Sequence, residues 1–187
     1  MENFNDGEKS GRKNMNYNIG QYFERLNLTE EFLKDKKILD MGCRDGEFIQ
    51  YLLDNNITKK AYGLDIADGT TFEGDEYEIV LDNDKFLNQS FEDDIDLRDV
   101  ELITFKSAFY PPMVEKSFSI FKKLVENNLT DDGEIRVEIK LRNPAPDTTK
   151  DEDWPLLLAW REKLKNIDEN GLNYEIDEEK ELLIIRK

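Results

Sequence analysis

The chain contains no histidine and only one cysteine, Cys43, in its 187 residues. One thiol cannot close an internal disulfide, and without imidazole it cannot build a structural zinc site of the usual four-ligand kind. A reducing, cytoplasmic setting is the expectation, with no metal site. The missing histidine also removes the side chain most often used as a general base near neutral pH. No segment approaches the roughly 20 consecutive apolar residues of a membrane span, and the opening Met1-Glu2-Asn3-Phe4-Asn5-Asp6 lacks the apolar run of a signal peptide. An excess of basic residues is absent too: Lys and Arg total 26 against 43 Asp and Glu, a net charge of −17. Such a field repels phosphate backbones and anionic headgroups, so nucleic acid or membrane binding would need a local basic patch, and the sequence shows none. The acidity itself reads as a means to solubility rather than nucleic-acid mimicry or adaptation to salt.

What is present suffices for one domain with a substantial core, because apolar clusters recur at regular intervals although charged residues make up 37% of the chain. Residues 1–14 lack periodicity and read as a flexible tail, leaving 15–187 as a single domain. Ile19, Tyr22, Phe23 and Leu26 recur at helical spacing, and Thr29-Glu30-Glu31 makes a second helix start ahead of Phe32 and Leu33. Strands are expected at 36–41, 61–66, 85–89, 100–105 and 134–139, with helices around Phe48–Leu53 and Phe118–Val125 between them. Tyr77–Leu81 reads either as a short strand or as part of a helix, Leu129–Gly133 as a turn, and 142–153 as a Pro- and Asp-rich loop. A helix from Trp154 to Ile167 and two strands at 172–176 and 181–185 close the chain. Alternation of strand and helix implies a doubly wound α/β fold: a seven-stranded, mostly parallel sheet with right-handed crossovers, ending in an antiparallel hairpin.

The most informative segment runs from Ile38 through Asp40-Met41-Gly42-Cys43-Arg44-Asp45-Gly46 to Phe48. Small residues after a strand let a ligand approach the backbone, and the following helix offers free N–H groups to an anionic or polar ligand. Nineteen residues after Gly46, at the end of the second strand, comes Asp65, where a carboxylate can accept both hydroxyls of a ribose. A bulky residue at Gly42 is expected to block the ligand and spare stability.

These features resemble the S-adenosylmethionine-dependent class I methyltransferases over roughly residues 17–187. The family's acidic-x-Gly-x-Gly-x-Gly motif is matched by Asp40 to Gly46 with Arg44 in place of the middle glycine, and Asp65 falls where the ribose-binding acid falls. The resemblance implies S-adenosylmethionine as cofactor, held by Asp40, Gly42, Cys43, Arg44, Gly46, Asp65, Ile66, Ser90, Phe91 and Phe105. Ser90-Phe91-Glu92-Asp93 would border the adenine, with Asp82-Asn83-Asp84 as the alternative. The segment Glu101–Tyr110 is similar to the fourth strand and the loop facing the transferred methyl, and Leu129–Ile139 to the fifth strand and its approach. Tyr110-Pro111-Pro112-Met113 departs from the Asp-Pro-Pro-Tyr motif of enzymes that methylate nucleobase amines at both flanking positions. A small molecule or a protein side chain is therefore the expected acceptor. Lys106, Tyr110 or a carboxylate are the candidates for a base. Two rival readings stand beside this one: an inactive methyltransferase-like protein that serves as a binding partner, and an enzyme using another adenosine nucleotide in the same cleft.

Overall fold

Seven strands form one sheet in the order β3-β2-β1-β4-β5-β7-β6. The computed structural model describes residues 19–66, 79–141 and 153–187. The first five strands are β1 (Ile38–Met41), β2 (Ala61–Asp65), β3 (Phe86–Asn88), β4 (Val100–Phe105) and β5 (Leu129–Glu138), all mutually parallel. β6 (Asn173–Asp177) and β7 (Leu182–Arg186) make the closing hairpin, and β7 inserts antiparallel between β5 and β6. The expected α/β architecture is the one observed.

The central strands owe their position to being apolar on both faces. All four residues of β1 are buried, Asp40 among them, as a parallel strand covered by helices on both sides requires. On one face pack α1 (described over 19–25), α2 (Glu30–Leu33) and α3 (Glu47–Asp54), which bury Ile19, Leu26, Leu33, Phe48 and Leu52. Thr29 caps α2 by accepting the Phe32 N–H at 3.1 Å, which satisfies one of the helix's orphan donors. On the other face lie α4 (Pro111–Asn127) and α5 (Asp153–Leu164), whose Phe118, Phe121 and Trp160 meet Phe105 and Phe109 in the larger core. Pro111 and Pro112 begin α4 where missing N–H groups cost nothing.

Three expectations need correction. Leu129–Gly133 is not a turn ahead of a strand but the first half of β5: Val100 pairs with Leu129 and Leu102 with Glu134, so the Asp131-Asp132-Gly133 signal marks a bulge within a continuous strand. Residues 79–81 form neither strand nor helix; Val80 instead donates its N–H to the Asp45 carbonyl at 2.8 Å, tying this stretch to the turn after β1. The helix at the end stops at Leu164, and Ile167–Asn170 forms a separate 3₁₀ turn closed by Gly171. The rest of the ambiguous 77–81 stretch, the 1–14 tail and the 142–152 part of the loop lie outside the described residues. Among the described residues no helix is long and apolar enough to cross a membrane.

Candidate functional site

Two adjoining cavities open at the carboxyl ends of β1, β2 and β4, the edge where ligands bind in open α/β sheets. The first, about 340 Å³, lies between α1 and the turn after β1, with Tyr22, Cys43 and Lys106 in its wall. The second, about 460 Å³, lies above β2 and is lined by Asp65, Ile66, Ser90, Phe91, Tyr110 and Met113. Gly42, Arg44 and Ser107 line both, so they form the partition between the two.

The turn Gly42–Gly46 is shaped by close packing. Gly42 has φ +79°, and a Cβ built on it would stand 2.8 Å from the Ala108 Cβ and 3.2 Å from Phe91 Cζ. Valine at this position would thus meet both backbone strain and a clash with the loop after β4. Gly42→Val is expected to lower stability by about 1–3 kcal/mol, read as a lower denaturation midpoint. The expectation that it would spare stability does not survive the contact with Ala108. Gly46, at φ +89°, turns the Cβ direction into Leu81 and lines neither cavity. It opens α3 without any side-chain cap.

Asp65 is aimed by backbone alone. Its Oδ2 accepts the Arg44 N–H at 2.8 Å and its Oδ1 accepts the Ile66 N–H at 2.7 Å, which orients the carboxylate at the rim of the second cavity. A carboxylate carries about four acceptor sites, so lone pairs remain for the hydroxyls of a ligand. Arg44 reaches its N–H toward Asp65 by taking φ +53°, a left-handed conformation that favours glycine.

Asp40 lies beneath the turn, fully buried, and does not reach either cavity. Tyr22 donates to its Oδ2 at 2.8 Å and Thr104 to its Oδ1 at 2.7 Å. Burial nonetheless outweighs these two hydrogen bonds and pushes its carboxyl up to about 6. Burial and the neighbouring Asp40 also hold the Tyr22 phenol well above its ordinary value, which keeps it protonated as the donor. Tyr22 stacks on Phe48 with ring centroids 4.1 Å apart, so the bond to Asp40 fixes α1 over β1 and forms one wall of the first cavity.

At the end of β4, Lys106 sits half-buried with its ammonium 5.2 Å from the centre of the Tyr22 ring. Burial lowers its pKa, against the opposing pull of Glu138 and Asp40. Ser107 follows at φ +52° and is held there by Glu138, whose Oε2 accepts both its N–H at 3.1 Å and its hydroxyl at 2.9 Å. Glu138 in turn pairs with Arg25 at 3.6 Å and Lys140 at 3.9 Å.

Of the residues singled out in the sequence, Gly42, Cys43, Arg44, Asp65, Ile66, Ser90, Phe91, Lys106 and Tyr110 line the cavities. Cys43 does so as an inert thiol, its pKa driven up by burial. Phe105 does not: it is fully buried, with its ring 5.0 Å from Phe109 and 5.6 Å from both Phe91 and Phe121. Phe109 likewise belongs to the core, whereas Tyr110, 52% exposed, stands at the rim of the second cavity. Asp82, Asn83 and Asp84 precede β3 and line neither cavity, whereas Ser90, Phe91 and Glu92 line the second. Tyr22, Thr104, Ser107 and Glu138 carry no motif in the sequence, because their roles come from contacts 18 to 64 positions apart.

The seven-stranded sheet with its C-terminal antiparallel hairpin matches the fold of solved methyltransferases. A TehB-like S-adenosylmethionine-dependent methyltransferase from Corynebacterium glutamicum aligns over 98% of this chain and 100% of its own, with a TM-score of 0.54 and 15% identity. Streptomyces venezuelae DesVI aligns over 99% of each chain, with a TM-score of 0.59 and 11% identity. The chain has the class I methyltransferase fold. The plantazolicin methyltransferase BpumL, solved with S-adenosylhomocysteine, is a further likeness at 11% identity and a TM-score of 0.54, covering 98% of this chain and 91% of its own. No family model and no curated protein sequence matches the chain.

Proposed function

We propose that the protein binds S-adenosylmethionine across the two cavities and is a methyltransferase acting on a small molecule or a protein side chain. The observation that carries this reading is the Asp65 carboxylate, fixed by the N–H groups of Arg44 and Ile66 at the mouth of a cavity that begins at the Gly42 turn. The donor set suits the cofactor: acceptors for ribose hydroxyls at Asp65, apolar and aromatic surface for a base at Ile66 and Phe91, and groups of both charges around the first cavity for an amino-acid end.

When bound, the cofactor supplies a methyl group activated on a sulfonium. The chain's own part is positioning. Gly42, Arg44 and Ser107 lie between the two cavities and face both, and α1, pinned by Tyr22 to Asp40, forms a wall of the first. Lys106, next after β4 in the wall of the first cavity, is the candidate base, and burial shifts its pKa downward, the direction that role calls for. The −17 charge argues against a nucleic-acid acceptor.

Asp65→Ala is expected to weaken S-adenosylmethionine and S-adenosylhomocysteine binding by about 1.5–3 kcal/mol, the range for hydrogen bonds to a charged group, while the folded state persists. Calorimetric titration of both variants measures it, and unchanged affinity would overturn the assignment of Asp65. The competing reading, a partner-binding protein without transferase activity, draws on Arg44 where the family has glycine. It predicts that no labelled methyl passes from S-adenosylmethionine to any fraction of a cell extract.

A further inference from the structure

Arg44 combines two features that together need an explanation. Its backbone takes a left-handed φ of +53°, which strains a non-glycine residue and which glycine, the residue of the family motif at this place, would adopt freely. Its side chain is exposed, lines both cavities, and makes no hydrogen bond or ion pair with any described residue. Strain of this kind clusters at ligand sites, and of the seven non-glycine residues with positive φ among the described residues, Arg44 and Ser107 are the two that line the cavities.

The surroundings limit what that ligand presents. The first cavity has a second cation, Lys106, across from the turn, and two acids, Asp45 and Glu47, at the start of α3. Lys106 feels Glu138 and Asp40 as opposing charges, together with Arg25 and Arg44 as like ones. The Arg44 guanidinium makes no ion pair with any described residue, and its fork of N–H donors matches a carboxylate in shape. A cavity that offers both signs fits the zwitterionic end of an amino acid, with the carboxylate toward Arg44.

We propose that Arg44 is a specificity-determining residue that binds the α-carboxylate of the methionine end of the cofactor and rejects a ligand lacking it. This rests on the S-adenosylmethionine reading above and goes further by giving the anomalous residue of the turn a ligand group.

The test compares S-adenosylmethionine with its decarboxylated form, S-adenosylmethioninamine, which keeps the adenosine, sulfonium and ammonium and lacks only the carboxylate. The wild type is expected to prefer the former. Arg44→Gly, which relieves the backbone, is expected to raise the melting temperature of the ligand-free protein while lowering affinity for S-adenosylmethionine at least about tenfold, and to leave affinity for the decarboxylated form within about threefold. A residue with only a structural role would move stability downward and both ligands together. Parallel loss of both ligands, or S-adenosylmethionine affinity within threefold of the wild type, overturns the inference. So does Lys106→Met abolishing the discrimination while Arg44→Gly keeps it, since the carboxylate would then sit on Lys106. A wild type that binds neither ligand overturns the cofactor reading itself, a different result from a wild type that binds both without discrimination.

Discussion

Trp160→Ala is expected to cost about 3–5 kcal/mol of stability, the range for deleting a buried large aromatic, and to lower the melting temperature by roughly 6–20 °C in a domain of this size. Trp160 is fully buried on α5, with its ring 5.4 Å from Phe109 in an edge-to-face arrangement. Phe109 belongs to the loop after β4 and also packs on Phe105 and Phe121, so the cavity left by alanine would open beneath the segment that carries Ser107, Ala108 and Tyr110. The loss should therefore reach the ligand site: weaker S-adenosylhomocysteine binding is expected at temperatures where the variant is still folded. Thermal denaturation and calorimetry measure the two effects. A stability loss under about 1 kcal/mol would mean that α5 does not close this core.

A second large effect is expected at Asp40. Its carboxyl titrates near 6 in the folded protein against an ordinary value of 3.8, chiefly because it is buried, so the folded state holds a proton that the unfolded chain has released. The stability contributed by this group is then greatest below pH 4 and falls as pH rises toward 6. The two-unit shift corresponds to about 3 kcal/mol. Asparagine cannot ionise, and the other carboxylates are common to both proteins. Relative to Asp40→Asn, the wild type should thus gain about 2.5 kcal/mol on going from pH 8 to pH 4. Urea denaturation of both proteins at several pH values gives this difference directly. A difference that is flat with pH would mean that Tyr22 and Thr104 compensate the charge fully. The same carboxylate holds Tyr22, so the wall formed by α1 should loosen in any variant that removes the acceptor altogether, such as Asp40→Leu.

Much of this molecule was legible before its structure. The alternation of apolar strands and amphipathic helices dictates a doubly wound sheet, because each helix must cover the sheet between consecutive parallel strands. The spacing from Asp40 through Gly46 to Asp65 placed a turn and a carboxylate at neighbouring strand ends, where β1 and β2 pair in register from Ile38 with Ala61 to Met41 with Leu64. Local chemistry sufficed there, since a turn signal and a strand pattern each depend on a few consecutive residues. At Leu129–Gly133 the same local reasoning failed: Asp-Asp-Gly is a turn signature, yet pairing with β4 held the residues in a bulged strand.

Which side chains face the ligand was decided by tertiary structure. Asp40 and Phe105 both lie close to the turn, but Asp40 points down to Tyr22 and Thr104 and Phe105 into the aromatic core, because side chains alternate across a strand and the helices covering each face determine what they meet. Ser107 and Glu138 carry no sequence signal, being thirty-one positions apart, and only the register of β4 beside β5 brings the strained serine to its carboxylate. The sequence alone determined the order of elements and the identity of the turn, since these follow from propensity and period. The partition between the two cavities, with Arg44 exposed on it, was determined by packing between elements distant in the chain.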